Sequence, residues 1–314
     1  MVWGQESQPG GSDGAALALC AEFARRTSQT RDAFPAIPEF LRIAWASDEA
    51  REIFEPQIES VAKAWETVEW RSADVLRPCA MIDTLSTNHA AWIERISEAR
   101  LSWDILRVVD ATPPGASQPV LSSEIVVGSR RNVRAFRAAW IRRDSDAMGA
   151  LLGYPRCCRA FFQAAYVESR IADYTWLIGR ATRDAHVRDS EVSVPATAET
   201  NILLRRLGIR ALPHFPCTFA CELSIELSGK MTALASSLGY GDEMRQLNEM
   251  LDWPLRWTAR HGIAEVLTPV LKFVTHSHPT RETFALNWLG ETVPAQAARG
   301  LRFPFRSPTV EGKG

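Results

Sequence analysis

Two short segments carry four of the chain's six cysteines: 151–162 (LLGYPRCCRAFF), with Cys157 and Cys158, and 214–224 (HFPCTFACELS), with Cys217 and Cys221. In each, a proline (Pro155, Pro216) stands just before the cysteines, which predicts helices opening near 155 and 216, because proline suits a first helical position. Cysteines in a first helical turn face unpaired N–H groups and the positive end of the helix dipole. Both favour the thiolate, which is the metal-binding and nucleophilic form. Cys217 and Cys221, four residues apart, would share one helical face with Cβ atoms about 5–6 Å apart. Cys157 and Cys158 point about 100° apart on a regular helix, so they can reach one ion only if that turn is irregular. A tetrahedral zinc usually takes ligand pairs separated by about two to four residues. Adjacent ligands suit an iron–sulfur cluster better, because its irons are spread out.

Further groups flank these pairs. His214 precedes Cys217 by three residues and could be a further metal ligand or a hydrogen-bond donor to the site; Ser224 continues the face of Cys217 and Cys221 one turn on. With Tyr154, they form the candidate catalytic set. Arg156 and Arg159 border the first pair and could hold an anionic substrate. His276 and His278, spaced to share one face of a strand, are a further candidate pair for substrate. His89, His186 and His261 are isolated and read as structural. Packing of small core residues and a reversible disulfide switch are the competing readings of the cysteines. Metal binding is favoured because four cluster in two proline-led segments, one with a histidine. Cys20 and Cys79 read as buried core thiols.

The two segments resemble a pattern found in the DUF483-like family of uncharacterised prokaryotic proteins: Gly-Tyr-Pro-x-Cys-Cys followed by His-x-Pro-Cys-x-x-x-Cys-x-x-Ser. The resemblance spans roughly 148–228, about a quarter of the chain. It implies that Gly153, Tyr154, Pro155, Cys157, Cys158, His214, Pro216, Cys217, Cys221 and Ser224 form one site. It brings no activity with it.

Composition limits the function classes. The chain has 314 residues, 46% apolar and 23% charged, with a formal net charge of -1. These are globular values. The absence of a basic excess argues against a general nucleic-acid binder. No apolar run approaches the roughly 18 residues of a membrane span. The polar, glycine-rich start lacks the features of a secretory signal, so a cytoplasmic location is expected. There is no Walker loop, G-x-G-x-x-G or H-E-x-x-H, and the one G-x-S-x-G string, 10–14, falls in the polar start rather than between a predicted strand and helix. Nucleotide hydrolysis, a Rossmann dehydrogenase, a serine hydrolase and a zincin protease are therefore disfavoured.

The elements that must position the cysteines read as follows. Residues 1–14 are expected to be a disordered tail, 15–117 a helical N-terminal region and 118–314 the cysteine-motif domain, with the boundary at the Pro/Gly-rich stretch 112–117. Ser47-Asp48-Glu49 opens a helix that Pro56 should kink or break. Further helices are predicted over 89–101, 130–143, 201–207, 216–229, 231–238 and 242–251. In 130–143 (RRNVRAFRAAWIRR), arginines surround an apolar stripe, which reads as a solvated helix or an anion-binding face. Strands are predicted over 105–109, 123–127, 253–261 and 263–274, the last two as a hairpin turning at His261-Gly262. The expected fold is α+β, mainly helical, with a few short strands around the cysteine-rich site. The expected function is that of a metal- or iron–sulfur-dependent enzyme, an oxidoreductase acting on a small molecule in a biosynthetic pathway. Its cofactor would be an iron–sulfur cluster or iron, and an electron-donor protein would be its partner; no nucleic acid or membrane is involved. The alternative is a zinc-stabilised binding or accessory protein without chemistry of its own.

Overall fold

Helix α2 (Asp48–Arg71) shows how the sequence builds the core. Ser47 caps it, its Oγ accepting from the Ala50 N–H at 3.0 Å, and Asp48 and Glu49 sit over the positive end. The helix continues through Pro56, without the break that was one of the two expected outcomes. Proline costs an interior helix about 3 kcal/mol. Phe54, Ile58, Val61, Trp65 and Val68 are buried in one cluster on both sides of it, and each such side chain returns about 1.5–3 kcal/mol. Packing outweighs the lost hydrogen bond.

The computed structural model describes residues 12–27, 40–112 and 117–295. Of the expected tail, 1–11 lie outside the described residues, and α1 (Ser12–Thr27) begins at Ser12. A seven-stranded sheet has the order β1-β9-β8-β7-β10-β6-β5, formed by β1 (Leu41–Trp45), β5 (His186–Arg188), β6 (Glu191–Pro195), β7 (Leu255–Arg260), β8 (Ile263–Leu267), β9 (Leu271–His276) and β10 (Phe284–Leu289). The β10–β6 pair is parallel and the other pairs are antiparallel. A three-stranded antiparallel sheet orders β2 (Cys79–Leu85), β4 (Leu121–Gly128) and β3 (Ser102–Asp110) as β2-β4-β3. The stretch expected to divide two regions thus lies between β3 and β4, which are neighbours in one sheet; of it, 113–116 fall outside the described residues.

The main core joins α1, α2, α8 (Glu222–Ser237) and α9 (Gly241–Leu251) to the larger sheet. The small sheet is covered on both faces, as β4 records in its alternation. Ile125 and Val127 pack with Trp92 and Ile96 of α3 (His89–Glu98). Val126 faces the other way, onto Val133 and Phe136 of α4 (Arg130–Arg142) and Leu152. Cys20 and Cys79 are fully buried, and burial pushes their thiols up to about 11 and about 12, as expected of core cysteines. No helix among the described residues is long and apolar enough to cross a membrane.

The expectation of a mainly helical protein is overturned: among the described residues helix accounts for 45% and strand for 23%, with two sheets. Nor do strands surround the cysteines, which lie on helix starts and a loop. The physical reason is clearest at β10 (FALNWL), where five consecutive residues are buried. A strand covered on both faces has no alternating pattern to read. The hairpin at His261-Gly262 is present, with φ of 54° and 79°. Positive φ at both central residues is what a two-residue hairpin with right-twisted strands requires. The predicted strand 263–274 is instead two strands, because Thr268 Oγ1 accepts from the N–H groups of Val270 and Leu271 (3.3 and 3.1 Å) and closes a turn over Pro269.

Candidate metal centre

The first cysteine pair is placed by a helix ending and a helix starting within four residues. Helix α5 (Ser145–Leu151) ends at Gly153, whose φ is +71°. The Gly153 N–H donates to Ala150 O (3.0 Å) and the Tyr154 N–H to Gly149 O (2.9 Å), the paired closure of a Schellman ending. Pro155 then caps α6 (Arg156–Phe162), so Cys157 and Cys158 lie in its first turn, as expected. A Cβ on Gly153 would stand 2.6 Å from Arg77 Cβ. Gly153→Ala is therefore expected to cost on the order of 2 kcal/mol or more, from the left-handed backbone and the clash together. Urea denaturation of the purified variant measures it.

Arg77 is a component of the site without a sequence signal. Its side chain is fully buried, donating to Ser72 Oγ (2.6 Å), Glu69 O (2.8 Å) and Leu152 O (3.5 Å). Glu69 is 4.0 Å from Arg77 Nη2 and 2.7 Å from Arg210 Nη2. This network anchors the end of α2 to the turn carrying Gly153.

The second pair is held differently from expectation. Residues 216–221 are not helical; α8 begins at Glu222 with Cys221 as its N-cap and continues through Gly229 to Ser237. The reason is tertiary. The Phe219 N–H donates to Thr182 Oγ1 (2.9 Å) and its carbonyl accepts from Thr200 Oγ1 (2.6 Å), while the ring is fully buried. A backbone bound sideways in this manner cannot enter a helical ladder. A turn from Cys221 N–H to Thr218 O (3.2 Å) folds Cys217 and Cys221 together instead.

All four sulfurs converge. Cys157, Cys158, Cys217 and Cys221 have Sγ atoms within 4.8 Å of one another. The separations are 3.9 Å for Cys157–Cys158 and 3.7 Å for both Cys157–Cys221 and Cys158–Cys221. A tetrahedron with metal–sulfur bonds of about 2.3 Å has sulfurs about 3.8 Å apart. Cys157 and Cys158 meet although both are α-helical, so side-chain rotamers rather than an irregular backbone bring them together. The group can hold a metal ion. The thiols share protons among themselves: Cys157 and Cys221 are pushed down by hydrogen bonds accepted from neighbouring cysteines, while Cys158 and Cys217 are pushed up by donating them and by burial. A divalent cation removes that competition by letting all four ionise.

The candidate further ligand, His214, is not among the four. Its Nε2 lies 3.0 Å from Ser224 Oγ, and Ser224 Oγ lies 3.3 Å from Cys158 Sγ. The order is imidazole, hydroxyl, sulfur, so His214 and Ser224 support Cys158 from outside the cluster. The His214 ring stacks on Tyr154 at 4.9 Å, and Tyr154 OH donates to Pro213 O (3.1 Å). Burial lowers the His214 pKa to about 4, leaving the ring neutral at pH 7. The unfolded chain takes up a proton here below about pH 6.5, whereas the folded chain resists until about pH 4. This contribution is present above pH 6.5 and is lost as pH falls toward 4. His214→Gln is expected to show a shallower loss of stability than wild type between pH 6.5 and 4.5, measured by urea unfolding.

Arg156 is exposed, and Arg159 is paired with Asp146 at 3.0 Å. The two strand-end histidines take other partners. His276 Nε2 lies 2.9 Å from Arg206 Nη2. His278 is buried, accepts from the Ala172 N–H (3.2 Å) and lies 3.3 Å from Thr27 Oγ1, which ties it to α1. Neither belongs to the metal-capable group.

Two cavities reach different cysteines of the group. One of about 330 Å³ touches Cys158, Tyr154 and His214. The other, of about 600 Å³, lies between α1 and α6 and touches Cys157 and Cys217. No family model, curated protein or solved structure matches the chain.

Proposed function

We propose that Cys157, Cys158, Cys217 and Cys221 bind a single zinc ion as a four-thiolate centre that fixes the fold around a small-molecule site. The observation that carries this reading is that four sulfurs lie within 4.8 Å of one another, three of them (Cys157, Cys158 and Cys221) at 3.7–3.9 Å, which suits four ligands on one ion. A four-iron cluster places its thiolates on separate irons, on the order of 6 Å apart, and fits less well. Four thiolates saturate zinc and leave no open position for substrate. The ion therefore clamps the start of α6 to the 217–221 turn and the start of α8. This is the zinc-stabilised reading of the sequence.

A second reading has a specific observation in its favour: two cavities are lined by cysteines of the centre, one by Cys158 and one by Cys157 and Cys217. A single iron in the same four thiolates has the same geometry and can exchange electrons. The protein would then be an oxidoreductase supplied by an electron-donor protein, with Tyr154 and His214 lining the path to the substrate and Ser224 buried behind them.

Anaerobic purification with elemental analysis and a visible spectrum tests both. About one zinc per chain and no colour supports the first reading. One iron per chain with thiolate-to-iron absorption supports the second. Several irons with acid-labile sulfide would overturn the single-ion centre.

A further inference from the structure

The cavity on the Cys158 side differs in chemistry from its surroundings. Trp140, Tyr154, Phe162, Tyr166, Tyr174 and Phe215 contribute aromatic rings to its wall, drawn from four separate stretches of chain. The thioethers of Met81 and Met148 add soft, adaptable surface. Its volume of about 330 Å³ is at the low end of small-molecule pockets, which run from about 300 to 1,000 Å³. Core packing does not explain it, because close-packed interiors leave few voids larger than a water molecule.

The polar groups in the wall limit the occupant's charge. Apart from Cys158, Arg159 is the one charged side chain among the lining residues; its charge is offset by Asp146, Nη1 donating to the carbonyl at 2.9 Å and facing the carboxylate at 3.0 Å, while its buried Nε has no partner. The imidazole of His214 is neutral at pH 7, with Nε2 on Ser224 Oγ and Nδ1 buried without a partner, and the Tyr154 hydroxyl is committed to Pro213 O. The Ser145 hydroxyl is committed to Gln163 Oε1 at 2.8 Å. A charged ligand would have to shed its hydration without gaining an unpaired counter-charge, which is costly. An uncharged aromatic ligand loses little water and gains ring contacts on several sides.

We propose that this cavity binds an uncharged, planar aromatic molecule of roughly two or three rings, seated against the Cys158 edge of the cysteine centre. The site adds to the metal reading without depending on it, since the rings come from side chains other than the cysteines.

The test is calorimetric titration of the intact, metal-analysed protein with 2-naphthol and, separately, with 2-naphthoate, which has the same rings but carries a charge. The expected result is saturable one-to-one binding of 2-naphthol, with a Kd on the order of 10–100 µM, and binding of 2-naphthoate weaker by about tenfold or more. Ala172 lines the same cavity and is exposed, so Ala172→Trp should fill its mouth. That variant is expected to bind 2-naphthol about tenfold more weakly, with unchanged metal content. Met148→Trp fills the cavity from another wall, so a folding failure in one variant leaves the other to decide. Absence of naphthol binding overturns the proposal. So does naphthoate binding as tight as that of naphthol, or full affinity in both filled variants. Naphthol binding by protein that carries no metal would sink the zinc centre and leave the pocket standing; metal-loaded protein that ignores naphthol would do the reverse.

Discussion

Cys221→Ala is expected to purify with well under one metal per chain and to melt about 10 °C or more below the wild type. Cys221 lies at the junction of the site. Its sulfur is 3.7 Å from those of both Cys157 and Cys158, and its carbonyl accepts from the Ser224 and Ile225 N–H groups, each at 3.0 Å, at the start of α8. Losing it removes a ligand and releases the start of a sixteen-residue helix from α6. Because metal binding to a folded site is linked to folding, metal content and melting temperature should fall together. Elemental analysis and differential scanning calorimetry of the same preparation check this. Full metal occupancy in Cys221→Ala would mean that the residue is not an essential ligand.

Arg77→Met is expected to destabilise the protein by about 3–5 kcal/mol while leaving most of its metal in place. The arginine side chain is fully buried and serves three acceptors on two separate stretches of chain. Methionine fills much of the volume but leaves the Leu152 carbonyl and the Ser72 oxygen without the arginine donor, each at a cost of about 1–3 kcal/mol, while the Glu69 carbonyl keeps the Ser72 hydroxyl as a donor at 2.6 Å. Glu69 keeps its ion pair to Arg210, which limits the loss. Denaturant unfolding followed by circular dichroism gives the free energy, and elemental analysis gives the metal. A change below about 1 kcal/mol would show that the network contributes little.

The chemistry of the centre was legible in the sequence because it depends on residue type and local spacing. Gly153, Tyr154 and Pro155 set a helix end, a turn and a new helix within a few residues, and that is enough to put Cys157 and Cys158 in the first turn of α6. The hairpin at His261-Gly262 was legible for the same reason: two adjacent residues determine it. Other features depend on partners distant in the chain. Thr182 and Thr200 hold Phe219 out of a helix, so the Cys217–Cys221 segment is a turn although its spacing suits a helical face. Packing around α2 overrides Pro56. The engagement of His276 with Arg206 and of His278 with Ala172 comes from contacts 70 and 106 residues away in sequence.

Residue type and spacing thus determined which side chains could bind a metal and how the first pair is presented. Tertiary structure alone decided that the four sulfurs stand within 4.8 Å of one another, that His214 supports the cluster through Ser224, and that aromatic rings from separate stretches enclose a cavity beside Cys158. Local propensity acts over a few residues, at a few tenths of a kcal/mol to about 1 kcal/mol each, or about 3 kcal/mol for an interior proline. Burial of a large side chain brings about 1.5–3 kcal/mol and takes no account of sequence distance. Where the two conflict, as at Pro56 and Phe219, burial and long-range hydrogen bonding set the structure.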